Sequence, residues 1–322
     1  MTELLINPTS SIGATWPPVE APHERMRGFY DQAVGSLTEV STFLDEFEHY
    51  RKEAEALQNI SRLSIRVLID KGLVNNLKQR DILLEGALPI DEDLCVLYTA
   101  SNSLQRKVPD AILKSHQTLL DSVTQHAIRT DRPSALKALN LESSVIDNDT
   151  TPAERNALIS KFLELYEMFG YDEQDVHDLL FNDSNIIVYA EDEKGIVSTA
   201  MAEQATIPIE GYGDLRITEI TEAATRPSDR GKGFYTAVSA DLIDTLRGQI
   251  QTPPDVIYGE CNLAMRGVIV AAHLNGRKFS FYDQSLLGVN QPYFGILRQN
   301  FKVEDNTEQR TYNDFALSYF PK

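Results

Sequence analysis

The sequence has few cysteines and no cluster of metal-ligand residues. Cys95 and Cys261 are the only cysteines among its 322 residues, and no Cys/His group has zinc spacing. A disulfide framework and a structural metal site both require several such residues at recognisable spacings. We therefore expect two reduced, buried thiols and no metal.

Basic residues are scarce relative to acidic ones. The 30 Lys and Arg residues are outnumbered by 48 Asp and Glu residues, which gives a net charge of -18. A general nucleic-acid binder neutralises phosphates with clustered cations, so this charge argues against nucleic acid and anionic membranes as partners. It favours a cationic small molecule or a basic peptide.

Long apolar runs are also missing. No window of the sequence approaches the ~18 consecutive apolar residues of a membrane helix, and residues 1–22 have no basic segment followed by an apolar one. We expect a cytoplasmic protein without a membrane partner. Because residues 1–22 contain four prolines and the only tryptophan, they predict a flexible N-terminal arm.

Residues 23–145 show the spacing of helices. Apolar residues recur there at three- and four-residue steps, which is the pattern of a helix with one buried face. The pattern predicts an α-helical bundle, whose role stays open among closing over a substrate, binding a partner and forming a homo-oligomer. The first helix is marked by Tyr30, Val34, Leu37, Val40, Leu44 and Phe47, and further helices are predicted near 60–73, 75–88, 91–107 and 110–130.

The pattern changes near residue 145. Thr151, Pro152 and Glu154 form a helix-start signal, with Thr151 as the N-cap and Glu154 placed for a capping box. Beyond it, strand and helix patterns alternate, so a mixed α/β domain is predicted over residues 152–322 and the fold class is α+β. Strands are predicted at 185–190, 196–206, 215–225 and 255–261, and helices at 155–169, 232–247 and 263–274.

The stretch TEAATRPSDRGKGFYTA, residues 221–237, places a basic Gly-x-Gly corner between a predicted strand and a predicted helix. A helix N-terminus has unpaired backbone N–H groups, and glycines before it let a phosphate approach the main chain. The P-loop pattern is absent and GxGxxG lacks its third glycine, which argues against a nucleoside triphosphate or a dinucleotide. The alternative is a surface turn without a ligand.

The block EITEAATRPSDRGKGFYTAVSADLIDTL resembles the acetyl-CoA-binding motif [QR]xxGx[GA] of the GNAT superfamily of N-acetyltransferases. The two small positions of the motif fall on Gly231 and Gly233, whereas Ser228 replaces the first Gln or Arg. Within the superfamily, EITEAAT, RGKG and the final YNDFALSYF resemble the β-lysine acetyltransferases. The resemblance covers roughly residues 152–322 and implies a GNAT-type fold there.

The resemblance implies that acetyl-CoA is the acyl donor. Its diphosphate would lie on the backbone N–H groups of residues 230–234, and its pantetheine beside residues 223–225. Asn262 would approach the cofactor arm, or it is simply a helix N-cap. The implied cofactor-binding residues are Ala223, Ala224, Thr225, Arg230, Gly231, Lys232, Gly233, Phe234 and Asn262.

Transfer of an acetyl group to an amine needs a base, because an alkyl ammonium with a pKa near ~10.4 is protonated at pH 7. The resemblance implies a glutamate on the strand before the loop, and both Glu219 and Glu222 are candidates. Residues three apart face opposite sides of a regular strand, so only one of them is directed into the site unless the strand bulges.

The tyrosine that usually protonates the CoA thiolate in this superfamily would fall on Ala272 and is missing. His273, Tyr258 and Tyr282 are the substitutes in the same part of the sequence. Alternatively, a thiolate with a pKa near ~8.5 leaves without an enzymic acid.

These features predict an N-acetyltransferase that moves an acetyl group from acetyl-CoA to a primary amine of a small cationic molecule, an amino acid or a diamine. The expected mechanism is direct attack in a ternary complex, because no nucleophile and base are visibly paired. Two alternatives stay open. One is an acyltransferase that uses a longer acyl-CoA or an acyl carrier protein, and the other is an inactive acyl-CoA-binding regulatory protein.

Overall fold

A computed structural model gives the fold of most of the chain. The residues that it describes are 25–56, 62–79, 82–101, 108–128, 135–138, 141–167, 170–249, 253–289, 291–300 and 312–321. The predicted arm over residues 1–22 lies outside them.

The amino-terminal part contains a four-stranded sheet. Its elements are β1 (Arg25–Phe29), α1 (Leu37–Ala56), β2 (Arg62–Asp70), a 3-10 helix (Lys71–Gln79), β3 (Ile82–Pro89), β4 (Leu94–Ser101), α2 (Asp110–Thr124) and the short α3 (Ala135–Ala138). The strand order is β1-β2-β4-β3, with β1 parallel to β2 and the other two pairings antiparallel.

The prediction of an α-helical bundle over residues 23–145 is therefore wrong for β1, β2, β3 and β4. In β2 the buried residues Leu63, Ile65 and Val67 alternate with more exposed ones, which is the two-residue period of a strand. Strands β3 and β4 are almost continuously buried, and an apolar run of this length does not distinguish a strand from a buried helix. The helix predicted near 110–130 is confirmed by α2, and the first predicted helix is confirmed only from Leu37, because Tyr30 and Val34 precede α1.

A second, eight-stranded sheet follows. Its strands are β5 (Ser143–Ile146), β6 (Asn185–Asp192), β7 (Gly195–Ile209), β8 (Gly213–Thr225), β9 (Val256–Asn262), β10 (Lys278–Phe279), β11 (Ile296–Asn300) and β12 (Tyr312–Tyr319). The order is β10-β12-β9-β8-β7-β6-β5, with β11 on β12. Its helices are α4 (Pro152–Tyr166), α5 (Glu173–Phe181), α6 (Phe234–Gln249) and α7 (Arg266–Leu274). This sheet begins at Ser143, before residue 152, where the second domain is predicted to start.

The two sheets share an apolar core. Leu68, Val96 and Tyr98 of the first sheet belong to one buried cluster with residues of the second sheet, such as Ile217 and Leu317. Burial of these apolar side chains stabilises the contact between the two sheets. One face of β8, β9 and β12 is therefore covered by the amino-terminal sheet.

The helix start predicted at residue 151 is confirmed. Thr151 accepts a hydrogen bond from the backbone N–H of Glu154, and the Glu154 carboxylate accepts one from the Thr151 N–H in return. This capping box fixes the first turn of α4.

The described residues bear on three predictions, which concern the two cysteines, a metal site and a membrane span. Cys95 and Cys261 are buried and carry free thiols. Among the described residues, no three His, Cys, Asp or Glu side chains gather as metal ligands. None of the helices in the described ranges has the length and apolar character that a membrane span requires.

Gly295 tests the contact between the two sheets. Its N–H donates to the Glu85 carbonyl in β3 at 2.7 Å, and its carbonyl accepts from Leu317 N–H in β12 at 2.9 Å. Gly295 has a φ of +82°, and an added Cβ would overlap the backbone nitrogen of Phe281. Gly295→Ala is expected to lower the free energy of unfolding by about 1–2 kcal/mol from backbone strain and by roughly 1–3 kcal/mol more from overlap.

The matched control is Gly170→Ala, at a φ of +79° with nothing within 4 Å of the added Cβ. Urea denaturation of both variants measures the difference. Equal losses in the two variants would show that the close approach at Gly295 does not matter.

Candidate functional site

Strands β8 and β9 part over their carboxyl-terminal halves. They run parallel and pair only from Ile217–Val256 to Glu219–Tyr258, although β8 continues to Thr225. A bulge lies on β8, where its register against β7 shifts, and Glu222 there has a φ of +43°. A bulge bends its strand, and a non-glycine residue with positive φ often marks a functional site. The result is an open cleft between the two strands.

The loop between β8 and α6 needs its glycines. Gly231 and Gly233 have φ values of +77° and +88°, a conformation that residues with a Cβ rarely adopt. Helix α6 starts directly afterwards at Phe234. The N–H groups of its first turn have no intrahelical acceptor, so they are available to an anion at the cleft.

Asp229 holds the loop in shape. Its carboxylate accepts from Lys232 Nζ at 2.8 Å and from Arg226 Nε at 2.5 Å, and Arg226 also pairs with Asp192 at 2.6 Å. The Lys232 ammonium, followed by the Arg226 guanidinium, lowers the pKa of Asp229 to about 2. Arg230 Nε donates to the Thr225 carbonyl at 3.3 Å. Lys232 thus stabilises the loop as well as adding positive charge beside it.

A cavity of about 1220 Å³ opens beside this loop. Its walls come from β8, the loop, α6 and α7, and from α3 and the start of β5 at the far side. The structure brings together here Ala223, Ala224, Thr225, Arg230, Gly231, Lys232, Gly233 and Phe234, all of which are predicted cofactor-binding residues.

A smaller cavity of about 220 Å³ adjoins the first. Its lining includes polar side chains from both parted strands and from outside them. Asn262, the remaining predicted cofactor residue, lines this smaller cavity, and its Oδ1 accepts from the Ala264 N–H at 2.9 Å just before α7. The two cavities share four lining residues, which are Ala223, Tyr235, Met265 and Val268.

Glu222 is the predicted base that lines the smaller cavity. Tyr171 Oη donates to Glu222 Oε2 at 2.7 Å, and Tyr166 Oη donates to the Glu222 carbonyl at 2.5 Å. Burial raises the pKa of the Glu222 carboxyl, and the Tyr171 hydrogen bond opposes this rise. A carboxylate with a raised pKa is better matched to accepting a proton near neutral pH.

Glu219, the other predicted base, lines neither cavity. Tyr258 Oη donates to its Oε2 at 2.6 Å, and Arg66 of the first sheet donates to Tyr258 Oη at 3.2 Å. The Arg66 guanidinium also lies over the rings of Tyr98 and Phe29. Glu219 and Tyr258 therefore belong to the contact between the sheets.

The other predicted acids also lie away from the cleft. His273 Nε2 is 2.7 Å from the His126 carbonyl, and Tyr282 is 40% exposed and donates to Asp121 at 2.9 Å. Neither lines either cavity. Ala272 is packed in a hydrophobic core, so the position predicted to lack the tyrosine does not face the cleft in this chain.

Sequence reasoning missed several polar residues of the smaller cavity. Tyr171, Tyr235, Glu260 and Arg277 line it, and Tyr235 also lines the larger one. Two local signals were available: Tyr235 lies inside the quoted stretch 221–237, and Tyr171 lies just after the predicted helix 155–169. Arg277 has no comparable local signal, because the hydrogen bonds of its side chain all reach distant parts of the chain.

No family model and no curated protein matches this sequence. Solved structures whose folds are similar to parts of the chain include N-acetyltransferases. A ribosomal-protein-alanine N-acetyltransferase from Brucella melitensis is 16% identical with a TM-score of 0.27, and the match covers 33% of this chain and 72% of that one. NAA60 from Arabidopsis thaliana, in complex with a bisubstrate analogue, is 11% identical with a TM-score of 0.38, covering 56% and 99%.

A third similar structure is a predicted acetyltransferase with acetyl-CoA from Clostridium acetobutylicum. It is 17% identical with a TM-score of 0.28, and the match covers 36% of this chain and 78% of that one. Such identities and TM-scores do not establish what this chain does. The similarity to β-lysine acetyltransferases stays a prediction, and a function has to follow from the cavities themselves.

The raised pKa of Glu222 predicts a pH dependence of stability. Burial favours the protonated carboxyl in the folded state, so its contribution to stability is present below the ordinary Glu pKa of about 4.3 and is lost as pH rises through the raised pKa. Glu222→Gln cannot ionise. The difference in free energy of unfolding, variant minus wild type, is therefore expected to be larger at pH 8 than at pH 4, so the variant gains stability relative to wild type as pH rises.

Urea denaturation at both pH values measures this change. Glu193→Gln, at an exposed turn position, is the control and should shift far less. A raised pKa of Glu222 is contradicted if the free energy of unfolding of the two variants, relative to wild type, changes equally between pH 4 and pH 8.

Proposed function

We propose that the protein is an N-acyltransferase that moves an acetyl group from acetyl-CoA to a primary amine of a small molecule. The observation that carries the proposal is the pair of adjoining cavities beside β8, where this strand parts from β9. The larger one lies beside a glycine loop and a helix N-terminus, and the half-buried Glu222 carboxylate lines the smaller one. A long anionic donor and a small amine suit these two spaces.

The larger cavity suits CoA in size and chemistry. Its volume of about 1220 Å³ exceeds the roughly 300–1,000 Å³ of ordinary small-molecule pockets. The diphosphate would be held by the N–H groups of residues 230–234. The pantetheine would lie along residues 223–225, where β8 has left β9 and its edge is open to hydrogen bonding.

The smaller cavity suits the reaction itself. Glu222 takes a proton from the acceptor ammonium, so that the neutral nitrogen attacks the thioester carbonyl carbon. The C–N bond forms, the nitrogen gives its second proton to solvent and the C–S bond breaks, which gives the amide and the CoA thiolate. Direct attack fits this geometry, since the donor and acceptor spaces adjoin at Ala223 and Tyr235.

The acceptor is proposed to be a cationic amine, an amino acid or a diamine. Glu222 and Glu260 both line the smaller cavity, and the chain carries a net charge of -18. Both features favour the approach of a cation. A volume of about 220 Å³ for acyl group and amine together favours acetyl over a longer acyl chain.

A second candidate function is acyl-CoA binding without turnover, in a regulatory protein. Ser228 at the first motif position and the core position of Ala272 favour it, because the usual thiolate acid is missing there. Acetyl transfer to a panel of amines separates the two. Tight CoA binding without transfer to any amine would favour the second candidate.

Glu222→Gln is expected to lower kcat about 10²-fold or more, because the amide cannot accept the amine proton. In the wild type, kcat/KM should fall as pH drops through the raised pKa of Glu222, and this dependence should weaken in the variant. Initial rates from pH 5 to 9 with one acceptor measure both effects.

Glu219→Gln is the matched control, since Glu219 lies on the same strand but lines neither cavity. It should lose much less kcat and keep the wild-type pH profile. A larger loss of kcat in Glu219→Gln than in Glu222→Gln would show that Glu222 is not the base and would favour Glu219 instead.

Gly231→Val is expected to weaken CoA binding at least tenfold, about 1.4 kcal/mol, because a side chain there distorts the loop and enters the cavity. Gly213→Val is the control. Both glycines have positive φ and open space around an added Cβ, at +77° and +103°, but Gly213 lines neither cavity. Calorimetric Kd values should change for Gly231→Val alone, and unchanged CoA affinity in that variant would exclude the loop as the phosphate site.

A further inference from the structure

Tyr235 lies where the two cavities meet. It belongs to the first turn of α6, two residues after Gly233, and lines both cavities together with Ala223, Met265 and Val268. Of these four side chains, only that of Tyr235 carries an exchangeable proton. The junction is also the place at which the proposed function puts the thioester.

Arg277 lies beside Tyr235, also lines the smaller cavity and is 2% exposed. Its Nη2 is 3.5 Å from Tyr235 Oη, its Nη1 is 3.4 Å from Ser318 Oγ, and its Nε has no hydrogen-bond partner. In the part of the chain that the structure describes, no carboxylate forms an ion pair with it. The guanidinium has room because residue 259 is glycine, where a Cβ would overlap Nη1.

A buried cation without an anion is costly for the folded protein. Such a cation lowers the activation free energy if an anion forms beside it during the reaction, because catalysis depends on interactions that strengthen in the transition state. The proposed reaction releases an anion, the CoA thiolate, at the junction of the cavities. Tyr235 and Arg277 both line the smaller cavity beside that place.

We propose that Tyr235 is the catalytic acid that protonates the departing CoA thiolate, and that Arg277 is the residue that positions and electrostatically supports it. This inference rests on the proposed acyl transfer. It assigns the missing acid to α6 instead of α7, where Ala272 lies in the core.

The proton balance is complete. When the C–S bond breaks, its electron pair stays on sulfur, which takes the proton from Tyr235 Oη, and the resulting tyrosinate faces Arg277. The amine nitrogen gives one proton to Glu222 before it attacks and loses a second one as the tetrahedral intermediate collapses. Solvent carries one of these two protons to the tyrosinate and takes up the other, which leaves the amide, free CoA and one released proton. Burial raises the pKa of Tyr235 while Arg277 opposes the rise, so the hydroxyl is protonated at neutral pH before the reaction.

The test compares two acyl donors with Tyr235→Phe. One is acetyl-CoA, and the other is an S-aryl thioacetate whose thiol is more acidic than that of CoA and leaves without a proton. With acetyl-CoA, kcat/KM should fall about 10²-fold, whereas with the aryl thioester it should fall less than about tenfold. Arg277→Met should show the same dependence on the donor, and Arg277→Lys should recover part of the loss.

Tyr258→Phe is the matched control, because Tyr258 is a buried tyrosine that lines neither cavity. It should change kcat/KM by the same factor for both donors. Unchanged CoA Kd values in the Tyr235 and Arg277 variants would show that the folded cofactor site is retained. If Tyr235→Phe does not fold, Arg277→Lys alone decides the question through its donor dependence.

Equal losses with both donors in Tyr235→Phe and in the Arg277 variants would overturn the role of Tyr235 and leave the acyltransferase proposal standing. If the wild type transfers no acyl group to any amine from either donor, the proposed function itself is contradicted, and this role with it.

Discussion

The parting of β8 from β9 after Glu219 and Tyr258 is the constraint on which the rest of the site depends. Up to that point the two strands share hydrogen bonds, and beyond it the edge of β8 is free while the cleft opens. The bulge at Glu222 bends β8 at the same place and turns this carboxylate into the cleft. One local distortion therefore opens the cleft beside which the larger and the smaller cavity lie, and it sets the position of the candidate base.

The closed half of the strand pair is held from outside by the amino-terminal sheet. Arg66 lies among the aromatic rings of Phe29, Tyr98 and Tyr258 and donates to Tyr258, which in turn donates to Glu219. A cation over aromatic faces, with hydrogen-bonded carboxylates nearby, is a stable way to bury charge. The amino-terminal sheet thus contacts and stabilises β8 and β9 at the residues where they pair with each other, which are Glu219 and Tyr258.

Local patterns predicted the elements around the cleft. The hairpin of β6 and β7, the glycine loop, α6 and the Thr151 cap all follow from spacing and turn residues within a few positions of one another. The amino-terminal sheet did not follow, because Ile82–Pro89 and Leu94–Ser101 are buried on both faces and show no period. Arg277 and Tyr171 were missed since their contacts in the site come from distant parts of the chain. The choice between Glu219 and Glu222 required the bulge, which no local pattern indicates.

A crystal structure with acetyl-CoA bound tests the account most directly. We expect the diphosphate on the backbone N–H groups of residues 230–234, the pantetheine along the open edge of β8, and the thioester between Glu222 and Tyr235. Acetyl-CoA bound away from the parted strands, or bound there with its thioester outside the junction of the two cavities, would contradict the account.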